Sequence, residues 1–450
     1  MKITKLYIHD FQQFRDFELD FTDPKTGSPL ERACLIGRNG TGKSTLLSLM
    51  SFSLHGQPQR GVQGFPACFG VKIVDHPNSS WLTALSSDKS GCHLLETSDN
   101  EFENHLHSGR ATVQFSGYTS IAFPSNLPFS MKRISSSRLE SLDALTFCPA
   151  DDPVLDTGLP STQLNNALPL FKNFPIYHEV GGKASANFWN LLIYLIKKRE
   201  SDWQEFLNLP DNSSRTVAEV QNQFDKNHPE ILKFLAEKWD AILEPAGLAF
   251  DYENAKRPVQ LTENLEAYVK LLSGQVLSYG ALSSGIRNYL FKIGHVAAIY
   301  FGRQVRNGFL FVDEPENSLY PDFLYDLIGT YQSIIQNTQF FVATHNPIIA
   351  AQFKPEERFI LDFDEEHKVT VRRGITPEGD DPNDVLEKDF AVRSLYGPAG
   401  IRSWERFLDL RHKIQTEPDA AKKKQLMTEF LSIGNNYNFA LKNAVPEKTS

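Results

Sequence analysis

The sequence predicts an α/β fold: a largely parallel sheet carrying a phosphate-binding glycine loop, with a helical subdomain inserted and a helical C-terminal tail behind it. Three observations predict it. Gly37-Arg38-Asn39-Gly40-Thr41-Gly42-Lys43-Ser44 stands between the apolar run "RACLIG" and the helically spaced "GKSTLLSLMSFSLHG", which is the strand, loop, helix order such a loop requires. "GFLFVDEP" and "QFFVATHN" are short runs of β-branched and aromatic residues, the pattern of strands buried on both faces. Residues 187–243 carry wide apolar helical faces without sustained heptads, so they predict a packed helical insertion and no long coiled-coil arm.

Taken in order, "KITKLYIHDFQQFRDFELDF" predicts two strands, with Ile3, Leu6 and Ile8 in the first and Phe17, Leu19 and Phe21 in the second. "RACLIG" enters the glycine loop and a helix leaves it. Residues 56–110 are rich in Gly, Pro, Ser, Asn and His with weak periodicity, which predicts a long irregular excursion. "ATVQFSGYTSIAF" reads as a hairpin and "FCPADDPVLDTGLPSTQ" as another irregular crossing. After the helical stretch, strand patterns return in "LAFDY", "AYVKLL" and "QVLSYGAL", followed by a helix from Ser284 to about Phe301. "YPDFLYDLIGTYQSIIQ" reads as a helix between the two buried strands, and the tail beyond Asp389 as helical and charged. The expected organisation is an N-terminal lobe with the glycine loop at 1–150, a helical insertion at 151–250, a C-terminal lobe at 251–375 and a helical extension at 376–450.

Composition narrows the class. A chain of 450 residues, 41% hydrophobic and 22% charged, has ample material for a large core. No stretch of eighteen apolar residues occurs, so the expectation is a cytoplasmic protein without a membrane partner. Cys34, Cys68, Cys92 and Cys148 are scattered with no C-x-x-C pair, so neither a disulfide framework nor a zinc site is indicated. A net charge of −9 argues against strong sequence-independent DNA binding over the whole surface. The runs at 197–199, 372–373 and 422–424 read as solvated basic faces.

The chemistry resides in four places. In the glycine loop, backbone N–H groups of Gly37, Arg38, Asn39, Gly40, Thr41 and Gly42, continuing into Thr45, cradle phosphates; Lys43 reaches the β/γ-phosphates and the Ser44 hydroxyl ligates Mg2+. "FLFVDE" ends in two carboxylates, Asp313 beside the magnesium and Glu314 where it polarises an attacking water. Leu282-Ser283-Ser284-Gly285 opens a helix and offers a hydroxyl and N–H groups to an anion, although Ser283 alone reads equally as a helix cap. His345 closes the set at the next strand end, in "VATHN".

This ordered set resembles the ABC-type head of P-loop NTPases, in particular the SMC, RecF and OLD-nuclease group. The opening "LYIHDFQQFRDFELDF" and the "EPENSLYP" after Glu314 carry the likeness further, over residues 1–50 and about 250–375. The resemblance implies that Ser283 and Gly285 contact the γ-phosphate bound by a partner subunit, that ATP is sandwiched between two heads, and that His345 senses the γ-phosphate. Two departures, Ile286 where the family often has Glu or Gln and a coupling glutamine for which Gln114 is the one candidate, imply slow hydrolysis. Transport is disfavoured because transporter heads lack the opening hairpin.

Downstream of His345 no run of alternating strands and helices is found that would hold a metal-dependent nuclease domain of the OLD kind, so none is expected there. Glu378, Asp380, Asp381 and Asp384 form an acidic cluster that is either a metal site or a solvated loop and cap. A short head with a modest insertion and "GDDPNDVLEKDF" before the tail most resembles the PtuA family, the ATPases of Septu-type antiphage systems that also accompany some retrons. That implies a homo-oligomer that holds a separate HNH nuclease subunit of PtuB type and, in retrons, a reverse transcriptase with its non-coding nucleic acid. The alternative is an ATP-gated DNA clamp of the RecF or SMC kind, with Lys132, Arg133 and Arg138 supplying a basic face.

Overall fold

A computed structural model describes residues 1–55, 68–75, 78–87, 91–100, 102–103, 132–133, 142–150, 176–181, 185–212, 215–244, 247–250, 268–271, 273–278, 282–392, 394–437 and 439. They fall into two compact units, Met1–Asp380 and Asp381–Ser450.

The first unit opens with the expected hairpin, β1 (Lys2–Phe11) and β2 (Phe14–Asp20), whose register sets Leu6 opposite Leu19 and Ile8 opposite Phe17. Because side chains alternate along a strand, this pairing gathers the apolar positions on one face. β3 (Arg32–Gly37) follows, then α1 (Lys43–His55). Within 56–110, the described strands correct the expectation of an irregular excursion: β4 (Cys68–Asp75), β5 (Asn78–Ser87) and β6 (Gly91–Thr97) extend the hairpin into a sheet of order β2-β1-β4-β5-β6, with β7 (Lys132–Arg133) beyond β6, while 56–67 and 104–110 lie outside the described residues. Phe69, Val71 and Ile73 do alternate inward, but over five positions only. Gly70, which reads as a breaker, is required by packing: a Cβ there would lie 2.4 Å from the Phe102 ring, itself stacked 3.8 Å from Trp81. The hairpin expected over 111–123 lies outside the described residues.

The second sheet has the order β16-β15-β3-β14-β13-β8-β9. Its members are β8 (Ala144–Cys148), β9 (Tyr177–Glu179), the two expected strands β13 (Gly308–Asp313) and β14 (Thr338–Thr344), β15 (Arg358–Phe363) and β16 (Val369–Arg373). All neighbours run parallel except β15 and β16. β8, β13 and β14 are buried at every position, which is why β13 and β14 read as largely apolar runs. β8 escaped the sequence reading because "ALTFC" is five residues long and runs straight into a Pro- and Asp-rich segment. Helix α1 packs against strands of both sheets, so Leu46, Leu47, Leu49, Met50, Phe52 and Leu54 are all buried, and the small Ser48, Ser51 and Ser53 are buried between them. Cys34 and Cys148 are buried free thiols, and burial raises both, Cys148 to about 12.

The helical insertion contains α2 (Ser185–Leu207), α3 (Val217–Asn227) and α4 (Ile231–Leu243). Thr216 and Glu219 close a capping box at the start of α3. The returning strands β10 (Leu248–Phe250), β11 (Tyr268–Leu271) and β12 (Val276–Ser278) form a small antiparallel sheet. Next comes α5 (Ser284–Arg303), buried continuously from Asn288 to Tyr300. Gly294 permits α4 to approach it, since a Cβ would meet the Trp239 ring at 2.6 Å, and Trp239 Nε1 donates to the Leu290 carbonyl at 3.0 Å. The helix expected over 320–336 is divided into α6 (Pro321–Leu324) and α7 (Leu327–Ile334). Gln352 is the wedge: its amide donates to the Leu324 carbonyl and accepts from the Ile328 N–H, replacing one rung of the helical ladder. Among the described residues no helix is long and apolar enough to cross a membrane.

His295, in the middle of α5, is wholly buried against the Phe188 and Phe291 rings. Desolvation lowers its pKa to about 3, and Nδ1 has no hydrogen-bond partner among the described residues. The unfolded chain takes a proton at this site near pH 6.5 and the folded chain does not, so the contribution is absent above that pH and stability falls as pH drops from 6.5 towards 3. His295→Leu is expected to remove that limb, narrowing the difference in unfolding free energy between pH 8 and pH 5. Equal slopes for variant and wild type would refute it.

The last helix of the first unit is α8 (Pro347–Ala351), and the unit Asp381–Ser450 contains a helical turn at Pro382–Asp384, a π-helical turn at Val385–Asp389 and two longer helices, α9 (Pro398–Thr416) and α10 (Ala420–Tyr437). Phe407 of α9 stacks on Phe430 of α10 at 4.2 Å, and Trp404 and Phe439 complete the seam.

Candidate nucleotide site

Because β3, β14 and β13 are parallel neighbours, their C-terminal ends share one edge, and the segments that follow them stand side by side. The glycine loop follows β3, His345 follows β14, Asp313 ends β13 and Glu314 follows it. Gly40 and Gly42 have φ of +85° and +87°, where a side chain is strained. A Cβ on Gly42 would also lie 2.4 Å from the Phe14 ring, and one on Gly37 2.5 Å from the Leu361 carbonyl oxygen. The loop is braced by Gln13, whose amide donates to the Gly40 carbonyl at 3.0 Å, and by the Thr41 hydroxyl on the Arg38 carbonyl at 2.8 Å. Arg38 and Asn39 are exposed, with Arg38 3.8 Å from Asp362 of β15.

Lys43 is buried and donates to the Gly37 carbonyl at 2.8 Å. Burial lowers its pKa, against the pull of Glu314, Asp313 and Glu316. Ser44 is exposed and Thr45 half-buried at the head of α1. Asp313 is 5% exposed and its Oδ1 has no hydrogen-bond partner among the described residues. Burial raises its pKa to about 6, with the Ser44 hydrogen bond opposing. A buried carboxylate with an unused oxygen beside a serine hydroxyl, at a glycine cradle, fits a hard divalent cation bound with a polyphosphate.

Glu314 adopts φ +45°, a conformation uncommon outside glycine. Its amide is anchored on the Ala343 carbonyl at 2.8 Å, which turns the carboxylate out of the sheet edge towards Asn317 and His345. Asn317 Nδ2 donates to Glu314 Oε2 at 3.4 Å and to the Ala150 carbonyl at 2.9 Å. His345 Nδ1 lies 3.6 Å from Glu314 Oε1 and also 3.6 Å from Glu316 Oε1. Sequence reasoning missed Glu316, Thr344, Asn317 and Gln13. The signal for Glu316 was its position two residues beyond Glu314 in a segment already singled out.

Ser283 caps α5, its hydroxyl accepting from Ile286 N–H at 3.4 Å, and both Ser283 and Ser284 are exposed. Gly285 is buried and packed in its own chain: a Cβ would lie 1.9 Å from the Ser318 carbonyl oxygen. The helix start therefore abuts the segment after Glu314. Gln114 and Arg138 lie outside the described residues, and Lys132 and Arg133 form β7. The acidic cluster is not a metal centre: Glu378 pairs with Arg32, Asp381 caps the turn at Asn383 and Asp384 pairs with Lys388. Among the described residues no group of three or more His, Cys, Asp or Glu is placed to hold a metal.

No curated protein matches this sequence. Among solved structures, the chain is similar to an SMC head bound to the C-winged helix domain of ScpA, at 14% identity over 83% of this chain and 98% of that one, with a TM-score of 0.43. An SMC head domain from Thermotoga maritima is 11% identical over 84% and 100%, with a TM-score of 0.39. An SMC head domain with an extended coiled coil, bound to the C-terminal domain of ScpA derived from Pyrococcus furiosus, is 14% identical over 83% and 96%, with a TM-score of 0.42. The model of the AAA ATPase domain matches residues 1–108 and 160–350. With more than half of its residues inside that match, and with the loop, carboxylates and strand edge in the order just described, the chain belongs to the AAA ATPase domain family.

Proposed function

We propose that this chain binds ATP with Mg2+ at the shared edge of β3, β14 and β13, hydrolyses it slowly, and uses nucleotide state to control a partner nuclease. The observation that carries the nucleotide-binding part of this reading is the buried Oδ1 of Asp313 beside Ser44 and Lys43, without a hydrogen-bond partner among the described residues. In this reading the N–H groups from Gly37 to Thr45 cradle the phosphates, Lys43 reaches the β/γ-phosphates, and Ser44 and Asp313 hold the metal. Magnesium, when bound, neutralises charge on the phosphate oxygens. Glu314 accepts the proton of the attacking water, His345 meets the γ-phosphate side, and Ser283 and Gly285 face the nucleotide of a second head.

The finer assignment is a regulatory subunit of a Septu-type antiphage complex, similar to PtuA, that holds an HNH nuclease of PtuB type and, in a retron, a reverse transcriptase. Its support is the resemblance of the tail together with a separate unit, Asp381–Ser450, that exposes Leu408, Met427 and Leu431. ATP with different affinity for open and closed heads shifts the assembly between two states. The test is purification of the chain from its native locus, with co-purifying proteins identified, native mass recorded with and without ATP, and nucleic-acid cleavage by the assembly followed at rising ATP. A nuclease whose activity falls as ATP rises supports the reading. Cleavage indifferent to ATP refutes nuclease control, and a lone monomer that dimerises on ATP and holds DNA replaces it with the clamp.

A further inference from the structure

Glu316 has no part in the assignments above, yet one of its carboxyl oxygens ties two turns of the edge together. It leaves the turn after β13, is 7% exposed, and spans to the end of β14. Its Oε1 accepts from the Thr344 hydroxyl and from the His345 backbone N–H at 3.2 Å. The same oxygen stands 3.6 Å from His345 Nδ1. Thr344, itself fully buried, passes the constraint on, because its hydroxyl oxygen accepts from the Asn346 N–H at 2.9 Å. Asn346 then caps α8 through Ile348 N–H. One carboxylate thus fixes three consecutive residues around the candidate γ-phosphate histidine.

The electrostatics point the same way. Nδ1 of His345 faces two carboxylate oxygens, those of Glu314 and Glu316, at equal distance. Acceptor oxygens of two carboxyl groups on that side favour the proton on Nδ1 and leave Nε2 to meet a ligand; burial raises the Glu316 pKa, with the Thr344 hydrogen bond and His345 opposing. We propose that Glu316 is a positioning residue: it clips the turn after β13 to the turn after β14 and holds the His345 ring with Nδ1 towards Glu314. This rests on the ATPase reading for its consequence in turnover, but not for its geometry.

The test uses the full chain with Glu316→Ala, Glu316→Gln and His345→Ala. Histidine 15N shifts report the His345 tautomer without nucleotide or turnover: wild type is expected to show a single Nδ1–H form and Glu316→Ala a mixture. In turnover, Glu316→Ala is expected to lower kcat roughly 10- to 100-fold, the range for groups that orient a functional side chain, with ATP affinity within about threefold of wild type. Glu316→Gln keeps the accepting oxygen for Thr344 and His345 and is expected to recover most of the loss. The Glu316→Ala/His345→Ala double variant is expected to be no slower than His345→Ala, because the two act as one unit. Multiplicative losses, ATP affinity falling in step with kcat, or an unchanged tautomer in Glu316→Ala overturn the proposal. A wild-type chain that binds no ATP refutes the functional reading instead, and the tautomer measurement still decides the role of Glu316.

Discussion

Glu314→Gln is expected to reduce ATP hydrolysis by roughly 10²–10⁴-fold, the range for loss of a positioned general base, while ATP binding is kept. The substitution is nearly isosteric. Its carbonyl oxygen still accepts from Asn317 Nδ2, and the backbone tie to Ala343 is untouched. Since Gln at φ +45° carries the same backbone strain as Glu, stability should move by no more than about 0.5 kcal/mol. What is lost is the ability to take a proton. The variant should therefore retain unhydrolysed ATP through gel filtration and, if two heads close on nucleotide, stay in the associated form. Single-turnover phosphate release and the nucleotide content of the eluted protein are the measurements. Release at the wild-type rate would remove Glu314 from the chemistry and favour a scaffold that binds ATP without turning it over.

Much of this edge was legible because each residue sits in a short local pattern. Lys43 and Ser44 follow the glycines, Asp313 and Glu314 close one apolar run, and His345 follows another. The strands themselves were legible where burial on both faces made them largely apolar, as in β13 and β14. The misses have a physical pattern. β4 was hidden because Gly70 gives way to the Phe102 ring, a tertiary demand that looks like loop composition in one dimension. β8 was too short to show a period. Glu316 and Thr344 are 28 residues apart, and Gln13 and Gly40 are 27 apart; only the register of the parallel sheet and the seating of the hairpin tip bring them together. The division between α6 and α7 comes from Gln352, 24 residues downstream of Ile328, and no local propensity announces it.

Gly285 shows how one residue can satisfy a local motif and a tertiary constraint together, and Gly285→Ala is expected to separate them. As a signature glycine acting only on a second head's nucleotide, it would tolerate a methyl group in the isolated chain. The contact within the chain argues otherwise. An added Cβ meets the Ser318 carbonyl oxygen at 1.9 Å and its carbon at 2.8 Å, both backbone atoms that cannot rotate away. Ser318 already adopts φ +63°, and Asn317 is tied to Ala150 and Glu314, so the segment has little room to yield. Forced overpacking of this kind costs about 1–3 kcal/mol, and the displaced segment carries Glu316 and borders Glu314. The expected result is a lower melting temperature without nucleotide, together with slowed hydrolysis at every protein concentration. Ser283→Ala is the contrast: it removes one exposed capping bond, worth about 1 kcal/mol, and its effect on hydrolysis should appear only where heads associate. A Gly285→Ala chain that melts with wild type would show that the helix start and the segment after Glu314 are not mechanically joined. A chain that melts early and hydrolyses slowly even when dilute would show that the same glycine seats the catalytic turn of its own head.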